Sequence, residues 1–306
     1  MNRADWAGEE SGVNSVGNTP TLSVCIVNWN TRDLLLAALK SIYDSPPRFP
    51  FEILVVDNNS ADGSAAKTAQ EFPQVLLIAN RDNGGYARGN NQALERANGT
   101  YRLLLNPDVI MPPGTLETAV QFMEARADAG ALGIRQVHPD GRIQPSVRGF
   151  PTPLAVLWEL AGLSRLFPKS RIFGAYRMTW FDYAETVEVD QPMGTFLLIR
   201  GAALEQVGLL DEAFPIFFNE VDWCLRCRRA GWKIYFTPDA EIIHYGGAST
   251  AQVGAAMAWE SRRGLLNFYR KNYRAARYLP LRLLIAGASW PHAWRTARKR
   301  RMDCTR

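Results

Sequence analysis

Short apolar runs, each closed by a polar or glycine-rich turn, recur along the first hundred or so residues. Leu22 to Asn28, Phe51 to Val56, Val75 to Ile78 and Tyr101 to Leu105 are short, bounded by turn residues and rich in Val, Ile and Leu, so they read as buried strands. Between them, helices are expected through Leu34 to Ile42, from about Ala61 to Phe72, and over Asn91 to Ala97. Asn30-Thr31-Arg32-Asp33 opens the first of these, and Pro46, Pro47 and Pro50 end it. Strand and helix alternate four times in about ninety residues, which predicts right-handed βαβ units and a mostly parallel sheet flanked by helices.

The pattern then changes. Pro112-Pro113-Gly114 starts a helix that runs to about Ala127. His138-Pro139-Asp140-Gly141 is a turn, and residues 138–190, without a clean period, read as an insertion over the sheet edge. Gln191 to Arg200 reads as a strand, Ala202 to Val207 as a short helix, and Glu220 to Ala230 as a helix stopped by Gly231. Trp232 to Phe236 and Ala240 to His244 read as two further strands. The expected organisation is a flexible leader at 1–20, an α/β domain at 21–250 and a helical extension at 251–306.

Composition narrows the class. The chain has 306 residues, 47% of them apolar, enough for a large core. The polar first twenty residues are neither a signal peptide nor an anchor, and no run reaches the ~20 apolar residues of a spanning helix. Four cysteines are too few for a disulfide scaffold and fit a reduced, cytoplasmic setting. Cys224 and Cys227 lie one helical turn apart and read as core packing.

The net charge of +5 is unevenly spread. From Ser261 to Arg306 the chain carries thirteen Lys or Arg and one acid, so the remainder is net acidic. Two readings of this basic extension stand: a segment lying on an anionic membrane surface, and a helical tail packed on the domain. Nucleic acid is not expected as a partner, since the rest of the chain is acidic and carries no recognition motif.

Candidate chemistry sits at the ends of the strands. Pro107 cannot donate to a sheet ladder, so Asp108 falls just past the C-terminal edge of a strand, where open α/β sheets bind ligands. Asp57 closes another strand in the same way. Asn83-Gly84-Gly85-Tyr86-Ala87-Arg88 leads to Asn91 at a helix start, a place for close backbone approach to an anion, with Arg88 as a phosphate contact. In Asn219-Glu220-Val221-Asp222-Trp223, Asn219 and Asp222 fit a capping pair, while the surrounding aromatic residues would raise a carboxylate's pKa and make it a better base. His244, after Ile242-Ile243, becomes a metal-ligand candidate only if the fold brings it to Asp108.

The order of these motifs resembles the family 2 glycosyltransferases of the GT-A fold, most closely their bacterial rhamnosyltransferase-type branch. It is carried by Val27-Asn-Trp-Asn30, Val55-Val-Asp-Asn-Asn-Ser60, Asn83-Gly-Gly-Tyr86 with Asn90-Asn91, Leu105-Asn-Pro-Asp108, Asn219-Glu-Val-Asp-Trp-Cys-Leu-Arg226 and His244, over roughly residues 21–250. The resemblance implies a nucleotide-sugar donor, a divalent cation (Mg²⁺ or Mn²⁺) and inverting transfer to a glycan or lipid-linked acceptor in surface polysaccharide synthesis. The expected setting is cytoplasmic, and the membrane reading of the basic extension would place the chain peripherally on the cytoplasmic face of the inner membrane. The branch alone points to thymidine-diphosphate rhamnose.

By position, Trp29, Asn30 and Asp57 would hold the base, and Asn83, Gly84, Arg88 and Asn91 the rest of the donor. Asn106-Pro107-Asp108 stands for the family's DxD element with its first Asp replaced by Asn, so Asp108 and His244 would hold the metal. Glu220 is the preferred catalytic base and Asp222 the second choice. A catalytically silent sugar-nucleotide or glycan binder on the same fold is an alternative, and a nucleotidyltransferase a more distant one.

Overall fold

A computed structural model of the chain describes residues 19–246 and 254–287. The leader expected at 1–20 lies almost wholly outside the described residues, and so do Cys304 and the Arg295 to Arg301 cluster. Strands β1 (Leu22–Asn28), β2 (Phe51–Asp57), β3 (Leu76–Ala79) and β4 (Tyr101–Leu105) occur where the apolar runs place them. They alternate with helices α1 (Arg32–Asp44), α2 (Ser64–Glu71) and α3 (Gly85–Leu94). A two-residue strand β5 (Val109–Ile110), helix α4 (Thr115–Glu124) and strand β6 (Ala129–Val137) follow.

The insertion contributes β7 (Val147–Arg148), α5 (Pro153–Leu160), α6 (Leu163–Leu166) and β8 (Val187–Glu188). The chain returns through β9 (Gln191–Pro192), β10 (Phe196–Arg200), α7 (Gly201–Val207), α8 (Asn219–Arg229) and β11 (Lys233–His244). Two helices close the described chain, α9 (Gly254–Asn272) and α10 at 279–287.

The main sheet runs β3-β2-β1-β4-β10-β6-β11-β5, with β8 added to β11, while β7 and β9 pair apart. β3, β2, β1 and β4 are parallel, β10 is antiparallel to both of its neighbours, and β6 is again parallel to β11. Leu22, Val24 and Ile26 of β1, with Leu103 and Leu105 of β4, enter one core beneath α1 and α4. The alternate residues Cys25, Val27 and Leu104 enter the opposite core beneath α3 and α8. Burial on both faces explains why these strands read as unbroken apolar runs.

Several expectations are corrected. β6 was not anticipated, because Ala129-Gly130-Ala131 before Leu132 gives it a weak β-branched signature. The single strand expected over Gln191 to Arg200 is broken at Met193-Gly194-Thr195 into β9 and β10. The two strands expected at 232–244 are one long strand, whose register against β6 shifts between Thr237 and Glu241. This irregularity lets the second half of β11 also pair with β5. Helix α3 starts at Gly85, six residues earlier than expected, inside the glycine-rich stretch.

The described part of the basic extension packs on the domain. Phe268 and Tyr269 of α9 are fully buried, in a cluster with Val156, Phe214, Phe218, Val221 and Ile285 of α10. Gly264 lets the helix approach closely, since a Cβ there would lie 2.7 Å from Cδ2 of Phe218. Removing the Phe268 ring should therefore cost about 3–5 kcal/mol. For Phe268→Ala the expected result is a lower urea midpoint at unchanged m-value; a loss below about 1 kcal/mol would mean that the extension contributes little to the fold.

Candidate active site

Three groups of polar side chains line the carboxyl edge of the sheet. The first is built where β1 and β2 run side by side, with Asn28 opposite Asp57. Asn28 Nδ2 donates to Asp57 Oδ1 at 2.8 Å, and the Ser60 N–H donates to Asp57 Oδ2 at 2.9 Å. The Ala61 N–H donates to Asn30 Oδ1 at 2.7 Å, and the Asn30 N–H to Ser60 Oγ at 2.9 Å. Asn30 and Asn59 both hold left-handed backbone, φ 52° and 60°, a conformation asparagine tolerates better than most residues. Asp57 is buried and braces the loop, while Trp29 and Asn30 remain partly exposed at the strand end.

The glycine-rich stretch is tied to this corner. Asn58 Nδ2 donates to the Gly85 carbonyl at 3.0 Å, and the Gly85 N–H to Asn83 Oδ1 at 3.0 Å. Gly85 has φ 87°, and a Cβ there would meet the Pro215 carbonyl at 2.7 Å, so this position needs glycine. Arg88 lies over Gly84 and pairs with Asp82 at 3.0 Å. Asn91 faces elsewhere: its amide exchanges hydrogen bonds with the backbone of Leu210 and donates to Glu212.

The second group is the meeting of Asp108 and His244. β5 pairs antiparallel with the end of β11, His244 standing opposite Val109, and the Tyr245 N–H donates to the Asp108 carbonyl at 3.0 Å. This brings His244 Nε2 to 3.2 Å from Asp108 Oδ1, both side chains buried. On the other side of the ring, His244 Nδ1 lies 2.6 Å from Gln144 Oε1. The amide oxygen accepts only, so Nδ1 carries a proton and donates to it, which turns Nε2 toward the Asp108 carboxylate. Nε2 is a buried nitrogen without a hydrogen-bond partner.

Asp108 Oδ1 and His244 Nε2, facing each other across 3.2 Å, fit a shared cation, with Gln144 orienting the imidazole from behind. Among the described residues, no set of three or more His, Cys, Asp or Glu converges on one point. Asn106 is half-buried beside them, and its N–H donates to the Thr195 carbonyl at 3.0 Å.

The third group is at the start of α8. The residue before the helix is Phe218, with φ 72°, and no side chain caps the first turn. The capping pair expected of Asn219 and Asp222 is not formed. Asn219 instead donates to the carbonyls of Phe214 and Ile216. Asp222 is fully buried, accepting from Arg226 Nε and Lys271 Nζ, both at 2.9 Å. Glu220 points the other way and stays partly exposed.

Around Glu220, a Cβ on Gly194 would lie 3.8 Å from the Glu220 Cβ and 3.4 Å from the Tyr86 hydroxyl, which donates to the Gly194 carbonyl at 2.8 Å. Desolvation pushes the Glu220 carboxyl up to about 7, against the opposing pull of its own and the Val221 N–H groups and of the Arg148 guanidinium. Tyr86 has its phenol raised by burial first, then by the negative charge of Glu220.

Tyr86, Gly194, Gln144 and Arg148 all belong to the site, and only Tyr86 lay within a recognised motif. Cys224 and Cys227 are buried and free, and burial pushes the Cys227 thiol up to about 12, which leaves them the packing role expected of them.

Comparison with known proteins identifies the fold and the family. The chain is 27% identical over 281 residues to the N-acetylglucosaminyl-diphospho-decaprenol L-rhamnosyltransferase of Mycobacterium tuberculosis, covering 88% of this chain and 91% of that protein. It is 29% identical over 171 residues to the rhamnosyltransferase WbbL of Escherichia coli, covering 53% of this chain and 61% of that one. Its fold is similar to that of a mannosyltransferase from Pyrobaculum calidifontis solved with GDP-mannose and Mn²⁺, with TM-score 0.57 and 18% identity, over 93% of this chain and 81% of that one. The expected GT-A fold is thus the observed one. The sequence model described as Glycosyl transferase family 2 matches residues 23–187, more than half of the chain, and the chain belongs to that family.

Proposed function

We propose that the chain transfers a sugar, with inversion, from a nucleotide-diphosphate donor to an acceptor hydroxyl, and that Glu220 is the base. The observation that carries this reading is Glu220 itself. It is a partly exposed carboxylate with its pKa lifted to about 7, beside Tyr86 and Gly194, while its neighbour Asp222 is consumed by Arg226 and Lys271. A base poised near neutral pH is half-ionised and still strong enough to accept a hydroxyl proton in the transition state.

In the step proposed, the acceptor O–H proton passes to Glu220 while the acceptor oxygen bonds to the sugar C1. The bond from C1 to the diphosphate breaks, and its electron pair leaves with the nucleoside diphosphate. One displacement inverts the anomeric centre and needs no enzyme nucleophile. Trp29 and Asn30 form the surface for the donor's base, braced from within by Asp57 through Ser60, and Asn83, Gly84 and Arg88 lie beside it at the glycine-rich turn. Asn91 then serves by holding the 208–212 loop in place.

Asp108 and His244 would hold a divalent cation, Mn²⁺ or Mg²⁺, which when bound supplies positive charge against the diphosphate. The kinship with rhamnosyltransferases supports a deoxyhexose donor such as thymidine-diphosphate rhamnose and a lipid-linked acceptor.

Glu220→Gln keeps the shape and removes the basicity. Turnover should fall about a hundredfold or more with donor affinity kept, as read by steady-state kinetics and calorimetry. The same variant has a stability signature. The folded-state pKa lies above the ordinary 4.5, so the carboxyl favours folding most below 4.5, and this contribution is lost as pH rises through about 7. At pH 8 Glu220→Gln should melt at or above the unaltered protein; a clear drop in Tm would mark Glu220 as a structural acid.

Arg148 lowers the Glu220 pKa. Arg148→Gln should therefore move the acid limb of the kcat/KM profile to higher pH, and an unmoved limb would separate the limb from Glu220. Finally, Asp108→Asn should abolish the cation dependence of donor binding in calorimetry, with His244→Ala weakening it less. Donor binding by the unaltered protein that is indifferent to a chelator would remove the metal role of both.

A further inference from the structure

We propose that the outer faces of α5, the α6 turn and α10 form one docking surface for an anionic phospholipid bilayer, on the flank of the molecule that carries Glu220. Nine of the thirteen exposed large apolar side chains among the described residues fall in these segments, too concentrated for scattered surface leucines. Leu154, Leu157 and Leu160 of α5 recur every third residue and are 63%, 39% and 45% exposed. Leu166, Phe167 and Ile172 continue the surface past α6, with Leu166 and Ile172 each 69% exposed. On α10, Leu279, Leu283 and Leu284 are exposed in the same way.

These segments are neighbours. Val156 of α5 and Ile285 of α10 are the buried counterparts of those leucines, and they meet in one core cluster. The outward residues of both helices therefore open on the same flank. That cluster also holds Phe218 and Val221, the residues on either side of Asn219-Glu220. The Gly149 N–H donates to the Tyr176 carbonyl, and Tyr176 is close enough to Glu220 and Arg148 to feel both charges. The surface thus adjoins the base end of the site rather than the corner formed by β1 and β2.

Charge selects the occupant. Arg165, Lys169 and Arg171 are exposed among the apolar residues of the α6 turn, Arg274 is exposed ahead of α10, and Arg282 lies half-buried on α10 itself. Residues 153–172 contain one acid, Glu159, which accepts from Arg177 at 2.6 Å, and residues 261–287 contain none. Leucines standing out among arginines, on helices whose described parts are too short and too charged to cross a bilayer, match a surface that seats its apolar side chains at the headgroup boundary and its cations on anionic phosphates. Only the purpose of this surface rests on the transferase reading: it would bring Glu220 to a membrane-anchored acceptor.

The test is co-sedimentation of the full chain with phosphatidylcholine–phosphatidylglycerol vesicles and with phosphatidylcholine alone, beside light scattering for oligomeric state. Three chains are compared: the unaltered one, Leu154→Gln with Leu283→Gln, and Arg165→Glu with Lys169→Glu. All three should keep their melting temperatures, because the altered side chains are exposed. The unaltered chain should bind the anionic vesicles and not the neutral ones, and both variants should lose about tenfold or more in partitioning.

Equal binding by all three chains would assign the membrane contact to other residues and overturn the proposal. No binding by the unaltered chain, whether a second copy or its own last residues cover the surface, would overturn it too. Vesicle binding is read without turnover, so a failure of the transferase reading would leave this result standing and visible.

Discussion

Burial of Asp222 is the constraint on which the Glu220 end of the molecule depends. A carboxylate at 0% exposure is tolerated only if it is paired and hydrogen-bonded. Arg226, one turn along α8, supplies one partner, and Lys271 of the extension supplies the other. Lys271 also pairs with Asp211 at 2.6 Å, and Arg226 donates to the carbonyls of Val207 and Leu209. One buried acid therefore fastens α8, the loop after α7 and α9 to each other. With Asp222 ion-paired internally, the first turn of α8 is held with Glu220 on the opposite side. The extension, which sequence reading left between a membrane role and a packing role, is in its described part an element of the active-site scaffold.

The Asp108–His244 end depends on a different device. A two-residue strand, β5, is enough to place Asp108, because the bent end of β11 pairs with it and carries His244 to within 3.2 Å. The hairpin at 138–143 then brings Gln144 behind the imidazole, with the Gly141 N–H donating to the His138 carbonyl and Ile143 bridged to Val137. Three segments far apart in sequence thus orient one ring. Tyr86 stands beside Glu220, its hydroxyl anchored to the Gly194 carbonyl.

The first half of the sheet was legible because β1 to β4 are buried on both faces, and double burial writes unbroken apolar runs. β6 is equally buried but begins Ala-Gly-Ala, since Gly130 must fit against Trp232 and Cys227 and carries no strand signal of its own. The acids at strand ends were legible from their position after a run. Their partners were not: Gln144 and Arg148 sit in an insertion without periodicity, and only tertiary pairing brings them to the site. The capping pair at Asn219 and Asp222 fitted local propensity, and tertiary structure overrode it. Phe218 takes a left-handed backbone at φ 72°, and Asp222 turns toward Lys271, a residue 49 positions away that no local reading reaches.

The central claim is that one carboxylate of the acidic stretch at the start of α8 is a base tuned to neutrality and the other a buried ion pair. A carbon-13 NMR titration of the glutamate carboxyls, with Glu220 assigned by difference against Glu220→Gln, measures this without reference to substrate. The account predicts an inflection for Glu220 near 7, where burial has pushed it from an ordinary 4.5. An inflection at the ordinary value would mean that Glu220 is freely solvated, and it would contradict both its place beside Tyr86 and Gly194 and the catalytic role built on it.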